Sequence, residues 1–125
     1  MRMSAWLRGA ISPRRLVLGL AVVLLGDGVF DAVADDWVRA DLEHLGFPTH
    51  LRRIFPVIKL ASATGLVAGL ARPRLGRLTA TALIAFFVLA LGFHTRAKDG
   101  PARHAPALGM LAWSVAARRA YDDVR

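Results

Sequence analysis

The chain has 125 residues, of which 55% are hydrophobic, and carries a formal net charge of +8. This length allows one domain at most. Its seventeen lysines and arginines are clustered between long apolar runs, a pattern that a lipid bilayer imposes. The basic residues form no stripe with interleaved aromatic residues, so the expected partner is the lipid bilayer and no nucleic acid. Since no cysteine is present, disulfides, thiolate metal sites and a cysteine nucleophile are excluded.

The first apolar run covers residues 16–34. As a helix it extends about 28 Å, enough to cross a bilayer. Arginines precede it, as in a signal peptide, and Ala32-Val33-Ala34 has the spacing of a cleavage site. However, the run is longer than a typical signal-peptide core, and cleavage would remove Asp27 and Asp31. We interpret it as a retained span that also directs insertion, with a cleaved signal peptide as the alternative.

Three further apolar runs cover residues 54–71, 78–95 and 105–118. The fourth span is the weakest, because Arg118 and Arg119 must extend their side chains toward the interface for the helix to cross. A re-entrant or interfacial helix is the alternative for this segment. The proline at 106 is expected in its first turn, where proline is tolerated.

The connections between the spans differ in character. The first is expected to contain a short amphipathic helix that ends at Gly46 and is followed by a Phe47-Pro48 turn. The second, residues 72–77, is short and basic. The third is a polar turn around Asp99-Gly100-Pro101.

The distribution of cations predicts the orientation. If the N-terminus is cytoplasmic, four crossings place ten basic residues on the cytoplasmic side and six on the other; Lys59 lies within a span. The positive-inside rule therefore favours a multi-pass protein of the cell membrane with both termini in the cytoplasm. The ten are Arg2, Arg8, Arg14, Arg15, Arg72, Arg74, Arg77, Arg118, Arg119 and Arg125, and the six are Arg39, Arg52, Arg53, Arg96, Lys98 and Arg103.

Four polar residues interrupt the predicted spans in their outer halves: Asp27, Asp31, Lys59 and His94. A charge inside a bilayer is unfavourable by about 2.5–3.5 kcal/mol on insertion scales and usually has a partner. We expect Lys59 to contact Asp27 or Asp31, with Asp27 favoured because it is deeper. The cluster is interpreted either as a structural ion pair that joins two helices, or as a polar cavity that binds a ligand or relays a proton.

A metal site is not predicted. Four histidines (His44, His50, His94 and His104) are expected on the outer side, but their spacing matches no ligand motif. Catalytic motifs for nucleophilic hydrolysis, zinc hydrolysis or phosphate binding are absent from the sequence, so we expect no enzyme.

Small residues predict where helices approach closely. Ala61, Gly65 and Gly69 recur every four residues on the second span and are expected to form a packing face. Trp37 and Tyr121 fall near predicted span ends, where interfacial aromatic residues are common.

Three segments then suggest a family: LGFP at residues 45–48, VIKLASATGLV around Lys59, and GFHTRAKDGP, which places His94 shortly before Asp99. In this order, over residues 16–118, the sequence resembles the DoxX-like membrane proteins, although its first span departs from the pattern by carrying two aspartates. The resemblance implies a four-helix membrane bundle. Some members are associated with thiosulfate:quinone oxidoreduction or with redox-stress membrane complexes, and most have no assigned activity.

The sequence therefore predicts an all-α protein, an antiparallel four-helix transmembrane bundle. Two functions fit: a non-catalytic subunit or scaffold of a membrane redox or envelope complex, or a membrane protein that binds a quinone-like or lipid ligand in an outer-half pocket. No cofactor is required, and quinone is the candidate if one is bound. A ligand-sized cavity at the charge cluster would favour the second function, and tight packing the first.

Overall fold

The computed structural model describes residues 11–123. Within this range the chain forms five α-helices, one 3₁₀ turn at Thr49–Leu51 and no strand, as the all-α prediction requires. We number the helices α1 (Pro13–Val33), α2 (Asp35–Leu45), α3 (Ile54–Gly69), α4 (Pro73–Arg96) and α5 (Pro101–Ala120). Arg2, Arg8 and Arg125, which contribute to the predicted orientation, lie outside the described residues.

The amphipathic helix of the first connection is present as α2. It buries Val38 and Leu42. It ends where Gly46 takes the left-handed conformation, with φ of 72°, which glycine adopts without steric penalty. The prediction of a helix that ends at Gly46 is confirmed.

Two helices begin earlier than the apolar runs. The basic connection predicted at residues 72–77 is almost entirely helical, because Pro73 begins α4, and proline is favoured at the first helical position. Pro101 begins α5 in the same way, so Pro106 lies inside that helix and not in its first turn as expected. Hydropathy misses these segments because the first turns of both helices are polar.

The core draws on all four long helices. α1 packs most extensively on α3, α4 packs on α5 and α3, and α1 also contacts α5. Because each helix contributes an apolar stripe to one shared interior, none of the four can be removed without exposing the others. The central residues are Val17, Leu20 and Leu24 of α1, Leu66 of α3, Leu83 and Phe87 of α4, and Ala117 of α5.

The end of α3, the start of α4 and the residue that follows α5 meet at two glycines, Gly69 and Gly76. A Cβ atom on Gly69 would contact the backbone of Gly76, and a Cβ atom on Gly65 would contact the side chain of Thr79. The expected small-residue face is therefore a helix contact at Gly65 and Gly69. Tyr121 lies directly over Gly76, is 1% exposed, and donates a hydrogen bond to the Leu66 carbonyl at 2.6 Å. The expectation of an interfacial Tyr121 was wrong.

Two of the helices, α1 and α4, are long and apolar enough to cross a membrane by length and composition. α3 has 16 residues, and α5 carries charged residues at both ends. These two helices correspond to the second and fourth predicted spans.

Candidate functional site

The charged residues of the predicted spans meet where the end of α1 lies beside the start of α3. Asp27 and Asp31 are four residues apart on α1, and therefore on neighbouring turns of one helix side. Lys59 lies in the second turn of α3, and its Nζ atom is 2.5 Å from Asp31 Oδ2 and 2.8 Å from Asp27 Oδ2. We call these three residues the acid–lysine trio.

The backbones of α1 and α3 approach closely at the trio because of a glycine. A Cβ atom on Gly28 would lie 3.1 Å from Lys59 Cβ, tighter than an ordinary van der Waals contact. Gly28 therefore lets α3 bring the first part of the Lys59 side chain against α1. The ammonium group then reaches both carboxylates on the same helix.

The two aspartates are not equivalent. The side chain of Asp31 is 7% exposed and that of Lys59 is 12% exposed, whereas the side chain of Asp27 is 48% exposed. The expected contact of Lys59 with an aspartate is present and extends to both; Asp27, the favoured partner, is the more exposed and the slightly more distant of the two. Depth along α1 did not decide the closer partner; the helix side did, since Asp31 continues the buried side that includes Leu24 and Gly28.

His94 belongs to a different cluster. Its Nδ1 atom is 2.7 Å from Asp99 Oδ2, and His44 Nε2 is 2.5 Å from Asp99 Oδ1. His104 lies beside them, with its ring centroid 5.6 Å from that of His94. We call His44, His94, Asp99 and His104 the histidine–aspartate cluster. The structure thus separates His94 from the trio, with which the sequence analysis had grouped it.

Asp99 is the centre of this second cluster. Its side chain is 3% exposed. Hydrogen bonds from His94 and then His44 hold the pKa of Asp99 below its usual value, so the carboxylate stays ionised to lower pH than a free aspartate. An ionised carboxylate only accepts hydrogen bonds, which assigns a proton to His94 Nδ1 and to His44 Nε2.

The histidine–aspartate cluster joins α2 to the rest of the molecule. His44 is on α2, His94 is on α4, and Asp99 is in the connection to α5. Two further ion pairs also fix α2: Asp35 with Arg52 at 2.5 Å and Asp41 with Arg103 at 4.0 Å. Neither Asp99 nor its pairing with His44 was predicted as part of a site. The available signals were the short spacing from His94 to Asp99 and the expectation that all four histidines lie on the outer side.

Neither cluster has the ligand arrangement of a metal site. Among residues 11–123, no group of three or more histidines and carboxylates is placed to hold a metal ion. In the same range, every buried side-chain nitrogen and oxygen has a hydrogen-bond partner. Within each cluster, the buried polar groups therefore form hydrogen bonds with one another.

Two surface depressions lie away from both clusters. One is an open apolar groove of about 460 Å³ between α1 and α3. The other is a shallow depression of about 470 Å³ at the start of α4, lined by Arg72, Pro73, Arg74 and Leu75. The trio lines neither of them.

Comparison with known proteins gives one result. A family model described as the DoxX-like family matches residues 16–117, a range that includes the trio and the histidine–aspartate cluster. Searches of curated proteins and of solved structures found no match.

Proposed function

Because this chain belongs to the DoxX-like family, we propose that it is an integral protein of the cell membrane whose four long helices form an antiparallel bundle. Both termini are cytoplasmic. Its role is that of a non-catalytic subunit or scaffold in a membrane redox or envelope complex.

Apolar side chains on the outside of the helices support membrane insertion. Val22 on α1, Val57 on α3 and Leu89 on α4 are all more than half exposed. A soluble monomer rarely exposes large contiguous apolar surfaces, whereas lipid chains solvate such faces without penalty. Arg118 and Arg119 are exposed at the end of α5, where long basic side chains extend to the interface.

The observation that supports the non-catalytic role is that Lys59 is paired with both carboxylates of the acid–lysine trio. Lys59 is largely buried and holds both carboxylates within 2.8 Å. Its charge is therefore used to join α1 to α3, and it is not free to polarise a substrate. A lysine that acted as a general base or nucleophile would need an unprotonated, accessible amine, and two adjacent carboxylates favour the protonated form.

A second candidate function is favoured by the exposure of Asp27. Two carboxylates share one ammonium, so the trio carries a formal charge of −1, and Asp27 is half exposed. Such a site offers hydrogen-bond acceptors. A quinone offers only acceptors, whereas the hydroxyl groups of a reduced quinone or the amine of a lipid headgroup are donors. The quinone-like or lipid ligand of this alternative would therefore bind in its donor form.

Purification in mild detergent separates the two functions. If the chain is a scaffold, it should co-purify with another membrane protein in a fixed ratio, and organic extraction should release no stoichiometric quinone. Stoichiometric quinone that is lost in Asp27→Asn but retained in the control Asp36→Asn, which alters an exposed aspartate outside the trio, would overturn the scaffold in favour of the ligand site. A chain that has neither a partner nor a ligand would contradict both.

A further inference from the structure

We infer that the groove between α1 and α3 binds an acyl chain of an anionic phospholipid, with the lipid phosphate held by Arg14 and Arg72. The inference rests on the proposed membrane topology, which places the end of the groove near Arg14 and Arg72 at the cytoplasmic leaflet. It concerns a surface distinct from the trio and from the histidine–aspartate cluster.

The groove is built by small side chains on α3. Ala63, Thr64 and Ala68 face larger residues of α1 across it, and the full lining is Leu18, Ala21, Val22 and Leu25 of α1 with Ala63, Thr64, Val67 and Ala68 of α3. From Leu18 to Leu25 the helix rises about 10 Å, the length of several methylene groups. An apolar groove on a membrane-facing surface gains dispersion contacts when a lipid chain fills it.

Basic residues stand at one end of the groove. Arg14 precedes Leu18 by four residues and so lies on the same side of α1. Arg72 follows Ala68 by four residues, just beyond the end of α3. Arg72 also lines, with Arg74, the separate depression at the start of α4. An apolar groove that ends at arginines matches the acyl chain and the phosphate of a phospholipid.

These arginines are available to a ligand. Arg14 and Arg72 are exposed. Among residues 11–123, ion pairs engage Arg39, Arg52, Lys59, Arg77 and Arg103, and no side-chain carboxylate pairs with Arg14 or Arg72. A guanidinium group binds phosphate through two parallel hydrogen bonds. A net anionic headgroup adds an attraction that a zwitterionic one lacks.

The charge pattern favours lipid over a second copy of the chain. A dimer with its two-fold axis along the membrane normal would bring the same groove of each copy together. Arg14 and Arg72 of both copies would then meet at one end, and like charges in contact are unfavourable. A phosphate from the membrane neutralises these residues.

Lipid titration of the full chain in detergent tests the site. Native mass spectrometry and thermal melting should show phosphatidylglycerol binding in preference to phosphatidylcholine with the same acyl chains. The double variant Arg14→Gln/Arg72→Gln should weaken phosphatidylglycerol binding by roughly tenfold to thirtyfold, since each cation near a membrane surface contributes about a factor of five. Arg119→Gln, which removes an exposed arginine on the same predicted side, should leave binding unchanged.

Groove variants test the position of the acyl chain. Ala68→Phe fills the groove and should weaken binding of both lipids, whereas Ala85→Phe, at an exposed position on α4, should not. Equal affinity for the two lipids would overturn the inference. So would undiminished phosphatidylglycerol binding by Arg14→Gln/Arg72→Gln or by Ala68→Phe. So would displacement of the lipid by inorganic phosphate, which would indicate a headgroup site only, or a dimer that Ala68→Phe dissociates.

Membrane integration can be tested independently of the lipid site. Before extraction, the chain should remain in the membrane fraction after a high-pH carbonate wash. Loss of the chain from that fraction contradicts the membrane proposal, whereas retention without a preference for phosphatidylglycerol contradicts only the lipid site.

Discussion

Lys59→Met should lower the free energy of unfolding in detergent by roughly 3–5 kcal/mol, because it leaves a buried carboxylate without its counter-charge. Asp31→Asn should have an effect of similar size, since Asp31 is 7% exposed and lies 2.5 Å from the ammonium group. Asp27→Asn should have a smaller effect, because nearly half of its side chain is exposed. The three single variants are compared by thermal or denaturant unfolding.

A double-mutant cycle shows whether the charges are partners. In Asp31→Asn/Lys59→Met both members of the closer pair are neutral, so the loss should be much smaller than the sum of the two single losses. If the losses add, the charges do not stabilise each other. The carboxylates would then be solvated independently, as in a water-filled cavity, and the ligand-binding alternative would gain.

Gly76→Ala should destabilise the protein by about 1–3 kcal/mol, the usual effect of forcing an extra group into a packed core. The new Cβ atom would contact the ring of Tyr121, and that ring is held in place by its hydrogen bond to the Leu66 carbonyl. Gly76 has little room to move, because its backbone also lies close to Gly69 of α3. Thermal unfolding in detergent measures the loss.

The matched control is Gly92→Ala on the same helix. A Cβ atom on Gly92 would meet nothing within 4 Å, and alanine favours the helical backbone over glycine by about 0.5–1 kcal/mol. This variant should therefore be neutral or slightly stabilising. Equal destabilisation by Gly76→Ala and Gly92→Ala would mean that the effect comes from helix flexibility and not from contact with Tyr121.

The sequence predicted the presence and order of the helices well, because apolar runs and helix-ending residues are local signals. Apolar runs located the four long helices, and Gly46 located the end of α2. The errors occur where polar residues enter a helix. The first turn of α4 is basic, so hydropathy assigns it to a connection, although Pro73 is a signal for the start of a helix.

The candidate site was only partly predictable, because its contacts join distant parts of the chain. Charge complementarity indicated that Lys59 would meet an aspartate, but the choice of Asp31 depends on how α1 is rotated against α3. Asp99 and His44 are 55 residues apart, and no periodic pattern in the sequence connects them. The burial of Tyr121 likewise depends on Gly76, on another helix.

Cysteine labelling in intact cells is the most direct test of four membrane crossings. The chain has no cysteine, so each introduced cysteine is unique. With a membrane-impermeant maleimide, Arg53→Cys and Lys98→Cys should react from outside, whereas Arg74→Cys and Asp123→Cys should react only after permeabilisation. Labelling of Lys98→Cys and Asp123→Cys from the same side would show that α5 does not cross and would contradict the proposed four-helix membrane bundle.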